Sequence, residues 1–356
     1  MASRMLARGL PRDPRASTYL VGFVVSTVVT ILVVRGALAA SGYPKIGGDG
    51  LHIAHVLWGG LLMALALVLA MSIIGQVVRP FVAILGGIGF GLFLDEVGKF
   101  VTSTNNYFFQ PAVAIMYLTV VLFVLLIHWV HGRTPTRPQE YLAAALGEAT
   151  AAAGGGISDQ RRQRALSLVG LASDQPGADA AADLIRALPA QSKQLGDPLI
   201  AMRRAVQRLG RPIVGSRILR RITIGILVFV SVLQLAAAAF IGIADIFEPG
   251  TLKENIPNFA SVGATLSACL AALCVVRGLW VYRRDKRSAY GWFQRSVLVD
   301  LLLTQVFVVA SSQFSALPSI VVDLLMLGIL GAARSQFSVP ATAGFTALMQ
   351  PSVAPR

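Results

Sequence analysis

Long apolar runs bounded by charge or proline dominate the chain. A helix needs about 20 mostly apolar residues to cross a hydrocarbon core about 30 Å thick. Eight runs meet or approach that length, at approximately 19–40, 55–77, 81–100, 112–130, 222–247, 259–282, 297–317 and 319–333, the last being the shortest. None alternates with the period of a strand, and lipid admits only helices and closed barrels. The pattern therefore predicts an all-α polytopic transmembrane bundle of about eight spans. Between the fourth and fifth runs the pattern changes. Segments at 141–152, 161–172, 178–188 and 199–209 are rich in Ala, Leu and Arg at helical spacing, and Gly154-Gly155-Gly156, Gln175-Pro176-Gly177 and Asp197-Pro198 separate them. The expected organisation is a four-span domain (1–132), a small helical insert (133–221), a second four-span domain (222–334) and a tail (335–356).

Composition sharpens this. Hydrophobic residues make up 55% and charged residues 13% of the 356 positions, against roughly 25% charged in soluble domains. That balance excludes a water-soluble globule of this size, and it is the reverse of the disordered signature. The net charge of +14 is distributed unevenly. Arg4, Arg8, Arg12 and Arg15 precede the first run, and Arg79 separates the second from the third. The insert carries 14 Lys+Arg against 7 Asp+Glu, Arg283, Arg284, Lys286 and Arg287 separate the sixth and seventh runs, and Arg334 follows the eighth. The alternate loops offer little beyond Lys45 and Lys253. By the positive-inside rule, the insert and both termini face the cytoplasm of a plasma-membrane protein. Membrane lipids, with anionic headgroups beside the basic segments, are the expected partners, and nucleic acid is not. The first run also fits a secretory signal ending in Ala37-Leu38-Ala39-Ala40, whose cleavage would leave seven spans. Cys269 and Cys274 lie in one apolar run and point in different directions, so they make neither a disulfide framework nor a thiolate metal site.

Polar residues inside apolar runs are expensive and mark candidate sites. His52 and His55, three apart on one helical face, begin the second run, while Asp95 and Glu96 close the third. The tight turn at Arg79-Pro80 makes the two runs a hairpin, and at about 1.5 Å per residue both groups reach the same membrane boundary. Lys99 stands at the rim, with Asn105, Asn106 and Tyr107 overhead. Three readings stand: an Asp95–Lys99 ion pair with interfacial histidines, a proton or ligand pocket, or a metal site. Gly87 and Gly91, four apart beside Gly86 and Gly89, leave a face on which another helix can pack closely. Asp300, Thr304, Ser311 and Ser315 form a polar stripe in the seventh run, with Gln305, Ser312 and Gln313 adjoining, and Asp323 stands alone in the eighth. Such groups act as helix–helix glue or as coupling groups. His128 and His131 read as interfacial residues.

The succession H-x-x-H-x-x-x-G (His52, His55, Gly59) and G-x-G-x-x-x-D-E (Gly89, Gly91, Asp95, Glu96) resembles a group of actinobacterial multi-pass integral membrane proteins of uncharacterised function. The likeness covers roughly residues 51–100, with a vaguer one over 290–313, and implies membrane residence without an activity or cofactor. Ala54 stands where that group often has a further His, which counts against a metal. Three classes of function follow from the residues: a transport-related protein using Asp300, Asp323 and the His/Asp/Glu cluster; a membrane-embedded enzyme acting on lipid or envelope substrates at the outer interface; or a scaffold or signalling protein acting through its cytoplasmic helices. No nucleotide-binding, Ser-x-x-Lys or His-Glu-x-x-His motif is present.

Overall fold

A computed structural model describes residues 6–40, 55–97, 110–132, 136–191, 197–202, 216–247, 259–312 and 316–336. The described residues are helical apart from turns and one isolated bridge between Ile157 and Ala190. Among the described residues, seven helices are long and apolar enough to cross a membrane, as a multi-pass membrane protein requires. The chain divides into two compact units, residues 1–205 and 206–356.

The first unit is built on α1 (Ala16–Ala40), α2 (His55–Ser72), α3 (Arg79–Asp95) and α4 (Gln110–Ile127). The third apolar run, expected over 81–100, is described as the 17-residue helix α3. Pro80 lies in its first turn, where a missing N–H costs nothing. α3 is the centre of the layer, with α1 along one flank and α2 along the other. Glycine makes both approaches close. A Cβ at Gly91 would stand 2.7 Å from the Thr27 carbonyl oxygen of α1, and one at Gly87 would collide with the Phe23 carbonyl. On the α2 side, a Cβ on Gly89 would come 2.7 Å from the Gly59 carbonyl oxygen, and one on Gly59 2.6 Å from that of Gly89. Thr27 Oγ1 also donates to the Gly87 carbonyl at 3.1 Å. α4 joins through Phe123, whose ring centroid lies 5.3 Å from that of Phe90 and 5.8 Å from that of Phe23. Large apolar side chains point outward, Met71 to 86% exposure and Leu67 to 61%. Such a surface suits lipid and would be a liability in water.

A π-helical turn, His128–Gly132, ends α4. The insert follows as α5 (Pro138–Ala153), α6 (Asp159–Gly170) and α7 (Ala178–Ala187). Its core is small-residue packing of Ala145, Ala149, Ala165, Val169, Ala181 and Ile185. α7 buries Ala178, Ala181, Ala182 and Ile185 at helical spacing and leaves Asp179, Asp183 and Arg186 outside. The α2–α3 turn contains Gly75 at φ +110°, a conformation L side chains rarely adopt, and its Cα packs on the Ala151 side chain of α5.

The second unit comprises α8 (Arg217–Phe247), α9 (Phe259–Tyr282), α10 (Lys286–Val299), α11 (Gln305–Ser312) and α12 (Leu317–Gln336). α10 and α11 make one continuous rod through a π-helical turn at Asp300–Thr304. The seventh run therefore starts helical structure eleven residues earlier than the expected 297, at Lys286, where Asp285 caps the helix by accepting from the Ser288 N–H at 3.2 Å. Phe293 is fully buried at the centre, over Gly278, among Val275, Tyr290, Val297 and Leu330.

Candidate functional sites

The first unit gathers Arg35, His55, Asp95 and Glu96 at the end of the helices remote from the insert. Asp95 and Glu96 are fully buried. Arg35 Nε donates to Asp95 Oδ1 at 2.5 Å, and Arg35 Nη2 to the Asp95 carbonyl at 2.9 Å. Glu96 Oε1 lies 2.9 Å from His55 Nδ1, and Glu96 Oε2 accepts from the Val56 N–H at 3.1 Å. Thus α3 ends in two carboxylates, one turned to α1 and the other to the start of α2. The bond to Val56 also satisfies a backbone donor of the first turn of α2, where a negative charge is favoured by the helix dipole.

His55 and Glu96 therefore meet across the hairpin, while the described cation on Asp95 is Arg35. His52, Lys99, Asn105, Asn106 and Tyr107 lie outside the described residues. Arg35 escaped the sequence reading because it sits in an otherwise apolar run. Its signal was its isolation there, since an ionisable residue in a span needs a partner. Among the described residues, no three His, Cys, Asp or Glu side chains come together as a metal site.

The second unit holds a different polar centre. Asp323 of α12 is buried and accepts from Gln305 Nε2 at 2.8 Å. Ser319 Oγ donates to Gln305 Oε1 at 3.1 Å. Thr304 Oγ1 reaches Ser267 Oγ of α9 at 3.0 Å, and Ser296 Oγ donates to the Ala271 carbonyl at 2.9 Å. The Asp300 carboxyl faces Thr304, Asp323 and Gln234 of α8. Asp300 Oδ1 is buried and receives no donor hydrogen bond among the described residues.

The π turn explains this convergence. The Gln305 N–H bonds the Asp300 carbonyl, five residues back. In an ordinary α-helix those residues would point about 140° apart. The wider turn brings Asp300, Thr304 and Gln305 towards one face, and single π turns recur at functional sites. Sequence spacing alone grouped Asp300 with Thr304 and left Gln305 beside the stripe. Ser315 and Gln313 lie outside the described residues, as does the side chain of Ser311.

No family model matches the chain, and neither a curated protein nor a solved structure shows significant similarity to it.

Proposed function

We propose that the chain is a multi-pass plasma-membrane protein with a transport role, and that the Asp300–Asp323 carboxyl pair is its coupling group. The observation that carries this reading is the facing of the half-buried Asp300 and the buried Asp323 carboxyls on neighbouring membrane helices, with the buried Asp300 Oδ1 unsatisfied among the described residues. Two facing carboxyls in a low-dielectric interior repel when both are ionised and hold together when they share a proton or a cation. A group that gains or loses a proton inside a membrane is what proton-coupled movement of a solute needs. Gln305, Thr304 and Gln234 supply neutral amides and a hydroxyl that can follow the change without adding charge. Both termini and the insert face the cytoplasm in this reading, on the strength of the one-sided distribution of Lys and Arg. The cluster at the other membrane boundary suits a different task, because Asp95 and Glu96 are already held by Arg35 and His55. It clamps three helices together.

The test is dissipation of an imposed pH gradient by full-length protein in liposomes containing a pH-sensitive dye. Wild-type protein should collapse the gradient faster than empty liposomes do. Asp323→Asn and Asp300→Asn should fall back to the empty-liposome rate, while Asp285→Asn, at the helix cap, should not. Equal rates for wild type and Asp323→Asn would remove the pair from any coupling role.

A further inference from the structure

α9 and α10 of the second unit are joined by a short basic turn, and Arg277, Arg283, Arg284, Lys286, Arg287 and Arg295 stand around it against Asp285. Arg277 and Arg295 lie within the apolar helices rather than beyond them. At about 1.5 Å per residue, Arg277 stands about 7.5 Å before the end of α9 at Tyr282, and Arg295 about 13.5 Å past the start of α10 at Lys286. Both are exposed, as is Arg284 in the turn. A charged side chain inside a span ordinarily turns inward and finds an opposite charge. Among the described residues, none of these three guanidiniums pairs with a carboxylate.

Each lies over a tryptophan instead. Arg277 Cζ is 4.4 Å and Arg284 Cζ 5.2 Å from the Trp280 ring centroid, and Arg295 Cζ is 4.5 Å from that of Trp292. Stacking holds a guanidinium by its face and leaves its N–H edge free for an oxyanion. Trp280 is itself 59% exposed, so Arg277, Trp280 and Arg284 form a cationic rack on the outer surface of α9. Towards mid-membrane the same surface is apolar. Leu266, Leu270 and Leu273 are exposed and continue the rack in alternating steps of four and three residues, on one helical face. A water-borne acidic partner does not reach arginines at that depth beside a leucine stripe. A lipid phosphate does, because an arginine side chain extends along its helix towards the headgroups while its stem stays in the apolar layer. Three guanidiniums with no acid among them favour a headgroup of net negative charge over one that carries its own ammonium.

We propose that this face of α9 binds one anionic phosphodiester lipid, of the phosphatidylglycerol kind. Its phosphate accepts from the Arg277 and Arg284 N–H edges beside Trp280, and one acyl chain follows Leu273, Leu270 and Leu266. Arg295, close enough to Cys274 of α9 to act on it electrostatically, adds a third positive charge from the neighbouring helix. Basic charge that only fixes topology needs neither the tryptophan stack nor the stripe in register with it.

The test uses full-length protein purified in detergent, stripped of lipid and titrated with dioleoylphosphatidylglycerol under native mass spectrometry. One lipid should bind, and dioleoylphosphatidylcholine should bind about tenfold more weakly or worse. Arg277→Gln combined with Arg284→Gln should weaken phosphatidylglycerol binding at least about tenfold, the effect of losing charge-assisted hydrogen bonds. Trp280→Leu, which keeps an apolar surface and removes the ring, should weaken it about threefold. Arg283→Gln combined with Arg287→Gln takes the same charge from the same exposed turn and leaves the stack intact. It should stay within about threefold of wild type, as exposed charges do. Equal losses in the two double variants overturn the site in favour of diffuse charge attraction, and so does equal affinity for phosphatidylcholine. Glycerophosphoglycerol, the headgroup without chains, should not compete at equal concentration; full competition would make the ligand a soluble phosphodiester and refute the lipid. A native mass of two copies that Leu273→Arg reduces to one would assign the stripe to a second copy of the chain and overturn the proposal as well.

Discussion

At the scale of single residues, the first unit depends on buried charges that are paired across helices. Arg35 and Asp95 are 60 positions apart in sequence, with side chains 10% and 0% exposed. Removing one partner of a buried pair leaves an uncompensated charge, at a cost of about 3–5 kcal/mol, whereas removing both is far milder. Arg35→Ala should therefore destabilise the protein strongly, and Arg35→Ala combined with Asp95→Asn should recover a large part of the loss. Thermal unfolding in detergent reads both, and a double variant as unstable as the single would mean that the pair does not clamp the helices. The sequence made Asp95, Glu96 and His55 visible, because polar residues closing apolar runs stand out. It pointed Asp95 towards Lys99, since i,i+4 spacing is the one ion pair a linear chain displays, whereas Arg35 depends on how α1 lies along α3. Glu140 and Glu148 of the insert are buried against Arg12 and Arg15 of the N-terminal segment, pairings that no local spacing displays.

At the scale of elements, spans legible as apolar runs are helical where described, and so are the insert segments at 141–152, 161–172 and 178–188, while most of the segment at 199–209 lies outside the described residues. Apolar length and helical period are local properties. The π turn at Asp300–Thr304 was not legible, because nothing in Asp-Leu-Leu-Leu-Thr marks a widened turn. The glycines of α3 lie between these cases, since their spacing reveals a bare face but not which helix covers it. Both flanks are covered, by α1 at Gly87 and Gly91 and by α2 at Gly89. At Gly91 the obstacle is the backbone oxygen of Thr27, 2.7 Å from a Cβ, so no side-chain rotation makes room. Gly91→Leu should force α1 off α3 and lose at least the roughly 1–3 kcal/mol typical of overpacking, whereas Leu92→Ile should cost less than about 1.5 kcal/mol. Comparable melting temperatures for the two variants would show that the approach of α1 is not what stabilises this unit.

At the scale of the whole molecule, the helical insert is not an independent appendage, because the N-terminal segment ties it to the membrane helices of its own unit. Arg12 Nε donates to Glu140 Oε1 at 2.8 Å and Nη2 to Oε2 at 3.0 Å, so the fork grips both carboxylate oxygens. Asp13 pairs with Arg79 at the start of α3, and Arg15 reaches Glu148 on α5, which also accepts from Arg161 Nε at 3.0 Å. Burial alone would push the Glu140 carboxyl up, but the Arg12 side chain and the Arg137 and Arg12 backbone N–H groups together hold it below the usual glutamate value. A carboxyl whose pKa is lower folded than unfolded binds fewer protons in the native state around that range. Its stabilisation is therefore complete above the unfolded value and is lost as pH falls through the folded one. Glu140→Gln, which keeps the shape and removes the charge, should melt below wild type at neutral pH. That gap should narrow as pH drops below the ordinary glutamate range, because protonation makes the wild-type group neutral as well. Melting curves of both proteins in one detergent across that range measure it, and a gap that stays constant to the acid end would show that the Arg12–Glu140 charge pair contributes nothing to docking the insert.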